Sequence, residues 1–287
     1  RRAGAGLGRL ILTMAAMRPL SDWPVEDRRQ LIGVFTDIDD TLTTDGAITP
    51  DALAALGALK AAGLHVIPIT GRPVGWSAPF ARTWPVDALV AENGSTALIL
   101  NKSSIIPASD GHSSLSKIYQ QDAATRAAQF TRMQQVAARV LREVPGAQLA
   151  QDSPGRETDL AIDHSEFAHL PPDAIAQVVA ILRSEGMTAT VSSIHINGWF
   201  GAHNKWEGAR WIVRELFGRD LDAEIGRWVY VGDSTNDQLM FEHFPHSVGV
   251  ANIARFLPDL SHSPRYLTQG ARGAGFAELV QAIVATR

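Results

Sequence analysis

The sequence predicts an α/β protein with a doubly wound parallel sheet, and three observations support this fold class. A short apolar run beginning at Leu31 leads directly into Asp37 and Asp39, as expected for a buried strand that ends in a polar turn. Two further apolar runs, 64–69 and 227–231, end in polar turns in the same way. Helical patterns separate such runs, and this alternation is typical of parallel strands joined by right-handed crossovers.

The amino-acid composition excludes several classes of function for this protein. The chain has 287 residues, which is long enough for one large α/β domain or for a core and a second domain. Its residues are 45% hydrophobic and 20% charged, which is ordinary for a globular protein. A net charge of -4 without a broad basic patch argues against nucleic acid as a partner. The absence of cysteine excludes disulfides and thiol catalysis and fits a reducing compartment. No run approaches the roughly 20 apolar residues of a membrane span, so we expect a cytoplasmic protein without a membrane partner.

Residues 1–30 are predicted to be an N-terminal extension. The apolar patch Leu10–Met17 is similar to part of a signal peptide, but Arg9 interrupts it and no convincing cleavage site follows. Met14 and Met17 are both plausible translation starts. We therefore expect at least the residues before Met17 to lie outside the fold.

Local signals predict the elements that follow the first strand. The polar segment 43–49 contains an Asp-Gly pair, which indicates a small hairpin over the strand end. A helix is expected from Pro50, capped by Thr49, to Gly63. Its buried face is expected to consist of Leu53, Leu56 and Leu59. The segment Val86–Ala91 is predicted to be the next strand of the parallel sheet.

The character of the chain changes after residue 100, where an inserted α/β cap domain is predicted over 101–198. The core is then expected to comprise 31–100 and 199–287. The insert is large enough for a small core of its own. It should contain a polar excursion, a long amphipathic helix, a strand, a second helix and two strands, at 101–121, 122–144, 160–162, 172–185, 188–191 and 194–196. The apolar stripe of the long helix is Phe130, Met133, Ala137, Val140 and Val144.

Polar groups also follow the later strands. Thr70 can hold a phosphoryl oxygen together with neighbouring backbone N–H groups, or it can cap a helix. Lys205, in the first turn of a helix, lies at the unfavourable end of the helix dipole. It is either a surface lysine or a cation directed at phosphate. Asp233 and Asp237 stand one helical turn apart, and a helix cap would explain only one of them.

The two carboxylates of Asp37 and Asp39 repel each other unless a proton or a cation lies between them. Hard oxygen ligands and the absence of cysteine favour Mg²⁺. The sequence therefore predicts a magnesium site at the end of the first strand.

These residues at the strand ends resemble the motifs of the haloacid dehalogenase superfamily. The family's first, second and fourth motifs are similar to Asp37–Thr41, to the segment around Thr70 and to Gly232–Asp237. The sequence Ile-Thr-Gly-Arg at 69–72, with Glu-Asn-Gly at 92–94, further resembles the branch with a large α/β cap. Sucrose-phosphate, trehalose-phosphate and mannosyl-3-phosphoglycerate phosphatases belong to this branch. Asp40 departs from the pattern, because relatives often carry glycine there.

The resemblance implies a Rossmann-like core and a set of residue roles. The metal would be held by Asp37, by the main-chain carbonyl of Asp39 and by Asp233, with Asp237 or Asn236 in support. Asp37 would form an aspartyl-phosphate, and Asp39 would act as acid and base. Thr70 and Lys205 would hold phosphoryl oxygens. The predicted substrate-binding residues are Gly71, Arg72, Asn93, His195, Asn197 and Asn236.

The implied function is hydrolysis of a small phosphorylated metabolite, such as a sugar phosphate. A phosphomutase of the phosphomannomutase type and a non-catalytic binding protein are the alternatives. His195 and Asn197 share one face of their strand. That face either contacts the substrate or is exposed to solvent.

Overall fold

The computed structural model describes residues 17–100 and 114–287. These residues form two compact units. Unit 1 contains 17–69, 84–88 and 209–287, and unit 2 contains 70–83, 89–100 and 114–208. In the part of the chain that is described, no helix combines the length and the hydropathy that crossing a bilayer requires.

The strands and helices are numbered in chain order. The strands are β1 (Arg18–Pro19), β2 (Gly33–Thr36), β3 (Thr43–Thr44), β4 (Ala47–Ile48), β5 (His65–Pro68), β6 (Leu89–Ala91), β7 (Thr96–Leu100), β8 (Leu115–Tyr119), β9 (Gln148–Leu149), β10 (Leu160–Asp163), β11 (Thr188–Val191), β12 (His195–Trp199), β13 (Trp228–Gly232), β14 (His246–Gly249) and β15 (Tyr266–Leu267). The α-helices are α1 (Val25–Arg29), α2 (Pro50–Ala61), α3 (Val74–Thr83), α4 (Ala123–Glu143), α5 (Pro172–Ser184), α6 (Lys205–Phe217), α7 (Leu221–Glu224), α8 (Gln238–His243) and α9 (Arg272–Val284).

Unit 1 is built on a six-stranded sheet in the order β1-β15-β14-β13-β2-β5, in which every pairing is parallel. All residues of β2 and β13 are buried, as expected for central strands of such a sheet. The chain proceeds from β2 to β5 in one direction and from β13 to β14 in the other. The strand order therefore reverses between β2 and β13, where α/β sheets bind ligands. The predicted α/β fold with a parallel sheet is confirmed.

The start of the described chain packs against this sheet. β1 pairs with β15, and the buried indole of Trp23 donates from Nε1 to Nδ1 of His246 over 3.2 Å. Trp23 also stacks on Tyr266. The prediction that residues 1–30 form an extension is therefore wrong from Met17 onward, because an apolar indole and a short strand complete the sheet edge. Residues 1–16 lie outside the described residues.

The predicted hairpin and the helix after it are present in unit 1. β3 pairs with β4, and α2 begins at Pro50. Leu56 and Leu59 are buried, but Leu53 is 39% exposed, so its predicted burial is wrong. Positions three residues apart drift around a helix, and the buried face follows instead the i, i+3, i+4, i+7 spacing of Ala52, Ala55, Leu56 and Leu59.

Unit 2 contains two antiparallel sheets, and the first contains a pairing that was not predicted. The segment Val86–Ala91 was expected to add a strand to the parallel sheet, and the N–H of its Asp87 donates to the carbonyl of Val66 in β5 over 2.9 Å. The strand β6 within this segment also pairs antiparallel with β7, which pairs with β8. Glu92, Asn93 and Gly94 all have positive φ, at 47°, 55° and 104°. This left-handed backbone reverses the chain tightly and produces a hairpin. Part of the predicted polar excursion, Leu115–Tyr119, is the third strand of this sheet.

The second sheet of unit 2 has the order β11-β12-β10-β9. Apolar residues of α4, α5, β10 and β12 form one buried cluster with it, which includes Met133, Val140, Ile162 and Ile196. Phe130 was predicted to belong to this core but is 40% exposed. The described part of the predicted insert, 114–198, lies within unit 2, which also contains 70–83 and 89–100. Residues 101–113 of the predicted polar excursion lie outside the described residues. The bounds of a cap domain stay a prediction.

Candidate active site

Three buried carboxylates converge in unit 1. One carboxylate oxygen from each of Asp37, Asp233 and Asp237 lies within 4.8 Å of the others, and we call these residues the acidic cluster. The sheet brings them together, because Asp37 follows β2 and Asp233 follows the neighbouring β13. The N–H of Asp37 donates to the carbonyl of Val231 over 2.9 Å. The cluster therefore lies at the point where the strand order reverses.

The carboxylate of Asp233 has one partnered and one unpartnered oxygen. Its Oδ2 accepts a hydrogen bond from Nδ2 of Asn252 over 3.0 Å. Its Oδ1 is buried, and no hydrogen-bond donor of the described residues reaches it. Burial, with the negative charges of Asp37 and Asp237, raises the pKa of Asp233 well above its ordinary value. A buried acceptor without a donor is rare and calls for a specific explanation.

Asp237 holds the loop after β13 in shape. Tyr230 donates its hydroxyl to Oδ1, and the N–H groups of Asp233 and Ser234 donate to Oδ2 over 2.9 and 3.1 Å. Burial and the nearby carboxylates raise the pKa of Tyr230, so its hydroxyl keeps its proton and donates. Because both oxygens of Asp237 accept protein hydrogen bonds, its side chain is suited to positioning Asp233.

The acidic cluster fits a magnesium ion. All its side-chain donors are carboxylate oxygens, which Mg²⁺ prefers. A cation would pair with the unpartnered Oδ1 of Asp233 and would offset the mutual repulsion of the buried carboxylates. Asp37 and Asp233 would hold the ion, with Asp237 in support. The half-buried carboxylate of Asp39 is not part of the cluster.

The presence of aspartate at position 40, where similar proteins often carry glycine, has a structural basis. Asp40 has a φ of 55°, in the left-handed region that glycine occupies most easily. Its carboxylate is held by Arg255 over 2.8 Å and by Arg272 over 3.0 Å. These two ion pairs stabilise the loop after β2 in a conformation that glycine would reach without them.

Asn252 joins the two loops of the site, and the sequence reading missed it. Nδ2 of Asn252 donates to the carbonyl of Asp40 and to Oδ2 of Asp233, and its Oδ1 accepts from the N–H of Arg272. Asn252 follows β14, which neighbours β13. The rule that polar residues after a strand line the ligand edge could have found it. The predicted Asn236 is held within its own loop, where it accepts from the hydroxyl of Ser234 over 2.7 Å.

The remaining predicted residues lie in unit 2. Thr70 is buried, and its Oγ1 accepts from the N–H of Arg72 over 3.0 Å. Its carbonyl accepts from the N–H of Asn93 over 2.9 Å. Lys205 is the first residue of α6 and is buried, so the interpretation as a surface lysine is wrong.

Arg72 and His195 converge on one carboxylate, Glu166. Arg72 donates to Glu166 over 2.7 Å and to Asp152 over 3.0 Å, and its guanidinium lies 4.7 Å from the ring centroid of Trp76. Nε2 of His195 lies 2.8 Å from Oε2 of Glu166. Burial alone would raise the pKa of Glu166, but the hydrogen bonds from His195 and Arg72 outweigh it and lower the pKa to about 2. Glu166 is therefore an anionic acceptor.

Asn93 and Asn197 converge on a second carboxylate, Asp159, to which Gly71 is linked through Arg156. The amides of Asn93 and Asn197 each donate to its Oδ2 over 3.1 Å. Arg156 donates to its Oδ1 over 2.7 Å and to the carbonyl of Gly71 over 2.9 Å. Burial raises the pKa of Asp159 to about 7, although Arg156 opposes this. The residues of this and the preceding paragraph form what we call the unit 2 network: Gly71, Arg72, Trp76, Asn93, Asp152, Arg156, Asp159, Glu166, His195 and Asn197.

The structure excludes one of the two interpretations of β12, and contact with the substrate stays a prediction. His195 and Asn197 are buried and share the network, so the prediction that they face solvent is wrong. Their neighbour Ile196 points into the apolar cluster instead. Sequence reading missed the four charged residues that organise the network, which are Asp152, Arg156, Asp159 and Glu166. They lie in turns or at strand ends without a local motif.

Part of the chain is similar in sequence to a known family of hydrolases. The sequence profile of the haloacid dehalogenase-like hydrolases matches residues 34–131. This match confirms the predicted resemblance to that family and to its enzymes. No curated protein sequence matches the chain significantly.

Solved structures share the fold of the chain. The C-terminal domain of trehalose-6-phosphate phosphatase from C. albicans is 15% identical with a TM-score of 0.64, over 94% of this chain and 99% of the other. The sucrose-phosphatase of Synechocystis sp., solved with sucrose and phosphate, is 17% identical with a TM-score of 0.61, over 89% and 98%. A Thermoplasma acidophilum protein is 15% identical with a TM-score of 0.64, over 88% and 98%. At these identities the likeness is one of fold.

Proposed function

We propose that this protein is a Mg²⁺-dependent phosphatase of the haloacid dehalogenase type that hydrolyses a phosphomonoester of a sugar or a related small metabolite. The observation that carries the proposal is the acidic cluster at the strand-order reversal, with Oδ1 of Asp233 buried and unpartnered. Binding of a phosphorylated ligand alone would be hindered by three buried carboxylates, because like charges repel. A reaction with a carboxylate nucleophile and a cation uses them.

The proposed chemistry has two steps. Asp37 attacks phosphorus, the bond from phosphorus to the ester oxygen breaks, and the leaving alcohol takes a proton from Asp39. A water molecule then gives a proton to Asp39 and attacks the phosphorus of the aspartyl-phosphate. The bond from phosphorus to the carboxylate oxygen of Asp37 breaks, so that phosphate is released and Asp37 is restored. Mg²⁺ held by Asp37, Asp233 and the main-chain carbonyl of Asp39 would offset the negative charge of the phosphoryl group.

The other residues have proposed binding roles. Thr70 and Lys205 would hold phosphoryl oxygens, as the family resemblance implies. The unit 2 network and Asn236 would recognise the leaving group. A sugar presents hydroxyl groups that both donate and accept, and the network offers the anionic Glu166 as well as amide groups. The trehalose-6-phosphate phosphatase of C. albicans and the sucrose-phosphatase of Synechocystis, which are similar in fold, support this substrate class.

A phosphatase screen tests the proposal. Wild type should release inorganic phosphate from at least one member of a sugar-phosphate panel with Mg²⁺, and EDTA should abolish the release. The control variant Asp173→Asn, an exposed carboxylate in α5, should behave like wild type. Transfer of phosphate between sugar positions without net release would instead identify a phosphomutase. A cytoplasmic location, expected from the cysteine-free sequence, stays a prediction.

A further inference from the structure

An arginine side chain lies beside the acidic cluster of unit 1 and has no part in the proposed reaction. Nη2 of Arg255 lies 3.8 Å from Oδ2 of Asp233 and 2.8 Å from Oδ2 of Asp40. Asp233 is fully buried, whereas the side chain of Arg255 is 46% exposed. A positive charge at this distance attracts the buried carboxylate and repels a cation that the same carboxylate would bind. Arg255 therefore affects the proposed metal site without being a ligand in it.

The backbone after β14 determines where Arg255 lies. It forms the 3₁₀ helix Ala251–Arg255, and in such a helix side chains three residues apart lie on the same side. Asn252 and Arg255 have this spacing, and both approach the same oxygen, Oδ2 of Asp233. Oδ1 of Asp233 has no hydrogen-bond donor within the described residues. The amide and the guanidinium thus contact one oxygen of the carboxylate, and the other oxygen is left to a metal ion.

A shorter ion pair holds the guanidinium back from Asp233. Nη2 of Arg255 donates to Asp40 over 2.8 Å, and the guanidinium carbon lies 4.6 Å from the ring centroid of Phe256. The second oxygen of Asp40 pairs with Nε of Arg272 over 3.0 Å. These contacts keep Arg255 at 3.8 Å from Asp233, which is longer than a hydrogen bond. A direct pair between Arg255 and Asp233 would therefore require Asp40 to release the guanidinium.

The main chain alone gives no reason for aspartate at position 40. Its φ of 55° is easier for glycine to adopt. The N–H of Asp40 donates to Oγ1 of Thr43 over 3.2 Å, and its carbonyl accepts from Nδ2 of Asn252 over 3.0 Å. Glycine would keep both of these main-chain contacts. The carboxylate adds the ion pairs with Arg255 and Arg272, so its role is to hold these side chains.

We infer that Arg255 is a positioning residue that acts through Asp233 to lower the affinity of the acidic cluster for a divalent cation, and that Asp40 limits this effect by holding Arg255. The inference rests on the proposed Mg²⁺ site. Without an ion, the guanidinium offsets part of the repulsion among the buried carboxylates. With an ion, the guanidinium and the ion repel each other. Without the carboxylate of Asp40, Arg255 pairs directly with Asp233 and competes with the ion for it.

Thermal unfolding of Arg255→Gln in EDTA and across a MgCl₂ titration tests the inference. In EDTA the unfolding temperature should be lower than that of wild type, because the carboxylates lose a neighbouring positive charge. The dependence of the unfolding temperature on Mg²⁺ concentration gives the affinity. That affinity should rise by about threefold to tenfold, a limited gain because solvent screens the half-exposed guanidinium.

Substitution of Asp40 supplies the complementary measurement. Asp40→Gly keeps the left-handed backbone free of strain but releases Arg255, so the affinity for Mg²⁺ should fall by about threefold to tenfold. In the double variant Asp40→Gly with Arg255→Gln the affinity should return to about the wild-type value, because no guanidinium remains to pair with Asp233. The matched control is Arg29→Gln. It removes another exposed arginine of unit 1, paired with Glu26 over 2.8 Å, and should behave like wild type.

Two results would overturn the inference alone. Weaker binding of Mg²⁺ by Arg255→Gln than by wild type would show that the ion pair with Asp40 supports the binding conformation instead. Equal affinities in wild type, Arg255→Gln and Asp40→Gly would show that Arg255 has no effect on the ion. In both cases wild type still responds to Mg²⁺, so the proposed function stands. A wild-type protein with no thermal response to Mg²⁺ and no release of phosphate would overturn the proposed function and the inference together.

Discussion

Asn252 donates from Nδ2 to Oδ2 of Asp233 over 3.0 Å, and this contact determines which oxygen of the carboxylate is left without a donor. The same amide group binds the carbonyl of Asp40 over 3.0 Å. One side chain thereby fixes the loop after β2 relative to the loop after β13. The acidic cluster depends on this arrangement, because Asp37 and Asp233 belong to those two loops.

Asn252→Ala should weaken the apparent affinity for Mg²⁺ by about 10–100-fold, the usual cost of losing a hydrogen bond to a metal ligand. Magnesium titrations of phosphatase activity and of the unfolding temperature measure the effect. Gln281→Ala, which removes an exposed amide from α9, serves as the control and should leave both titrations unchanged. An unchanged Mg²⁺ affinity in Asn252→Ala would show that Asp233 does not need this contact.

Asp37→Asn should abolish turnover and leave the fold intact. The amide is nearly isosteric with the carboxylate but cannot form an aspartyl-phosphate. The variant also removes one of three repelling buried charges, so in EDTA its unfolding temperature should be at least as high as that of wild type. Turnover near the wild-type rate would rule out the covalent mechanism.

Mg²⁺ should stabilise the wild-type protein by mass action. An ion present at 100 times its dissociation constant adds about 2.7 kcal/mol to the free energy of unfolding. Thermal unfolding with and without EDTA measures the shift. The shift should become much smaller in Asp233→Asn, because the unpartnered oxygen or its charge is lost. An equal shift in both proteins would place the ion elsewhere.

The sequence predicted the parts of the site that follow strands. Strand ends are recognisable from short apolar runs, and Asp37 and Asp233 could be expected to meet once a parallel sheet was predicted. The same logic missed the hairpin that joins β6 to β7, because an apolar run indicates a strand but not its antiparallel partner. Asn93-Gly94 is a recognised hairpin signal that could have indicated the reversal.

The unit 2 network could not be predicted, since it depends on distant pairs. Arg72 meets Glu166 across 94 positions of sequence, and Asn93 meets Asp159 across 66. Nothing in a turn such as 152–159 shows which of its charges will be buried. Burial of His195 follows only from the antiparallel pairing of its strand with β10. Long-range pairing of this kind is a property of the fold and leaves no local pattern.

His203 should make the protein sensitive to acid. Its two ring nitrogens are buried, and within the described residues neither has a hydrogen-bond partner. Burial lowers the pKa of His203 to about 4 from the ordinary value of 6.5. Below pH 6.5, His203 therefore binds a proton in the unfolded chain but remains neutral in the folded protein. Stability should fall progressively from pH 6.5 to pH 4, by up to about 3 kcal/mol.

His203→Phe should remove this part of the acid sensitivity, because phenylalanine keeps a ring next to Trp199 and has no proton to bind. Urea unfolding at pH 7 and pH 4.5 measures the difference in free energy. His169→Phe, at an exposed position of unit 2, should retain the wild-type pH dependence. The same loss of stability in His203→Phe as in wild type would mean that other groups cause the acid sensitivity.

His195→Ala should impair recognition of the leaving group. Without the imidazole, Glu166 keeps Arg72 but loses the contact with Nε2 of His195, and a sugar hydroxyl that relies on this pair is bound less well. KM for the preferred sugar phosphate should rise by about tenfold. KM for a generic aryl phosphate should change much less, since that substrate has no sugar hydroxyl groups that Glu166 and His195 could bind. Asn197→Ala should act in the same direction through Asp159, and His169→Ala is the matched control. Equal losses on both substrates would show that the network supports the fold, and no loss on either would place recognition elsewhere in unit 2.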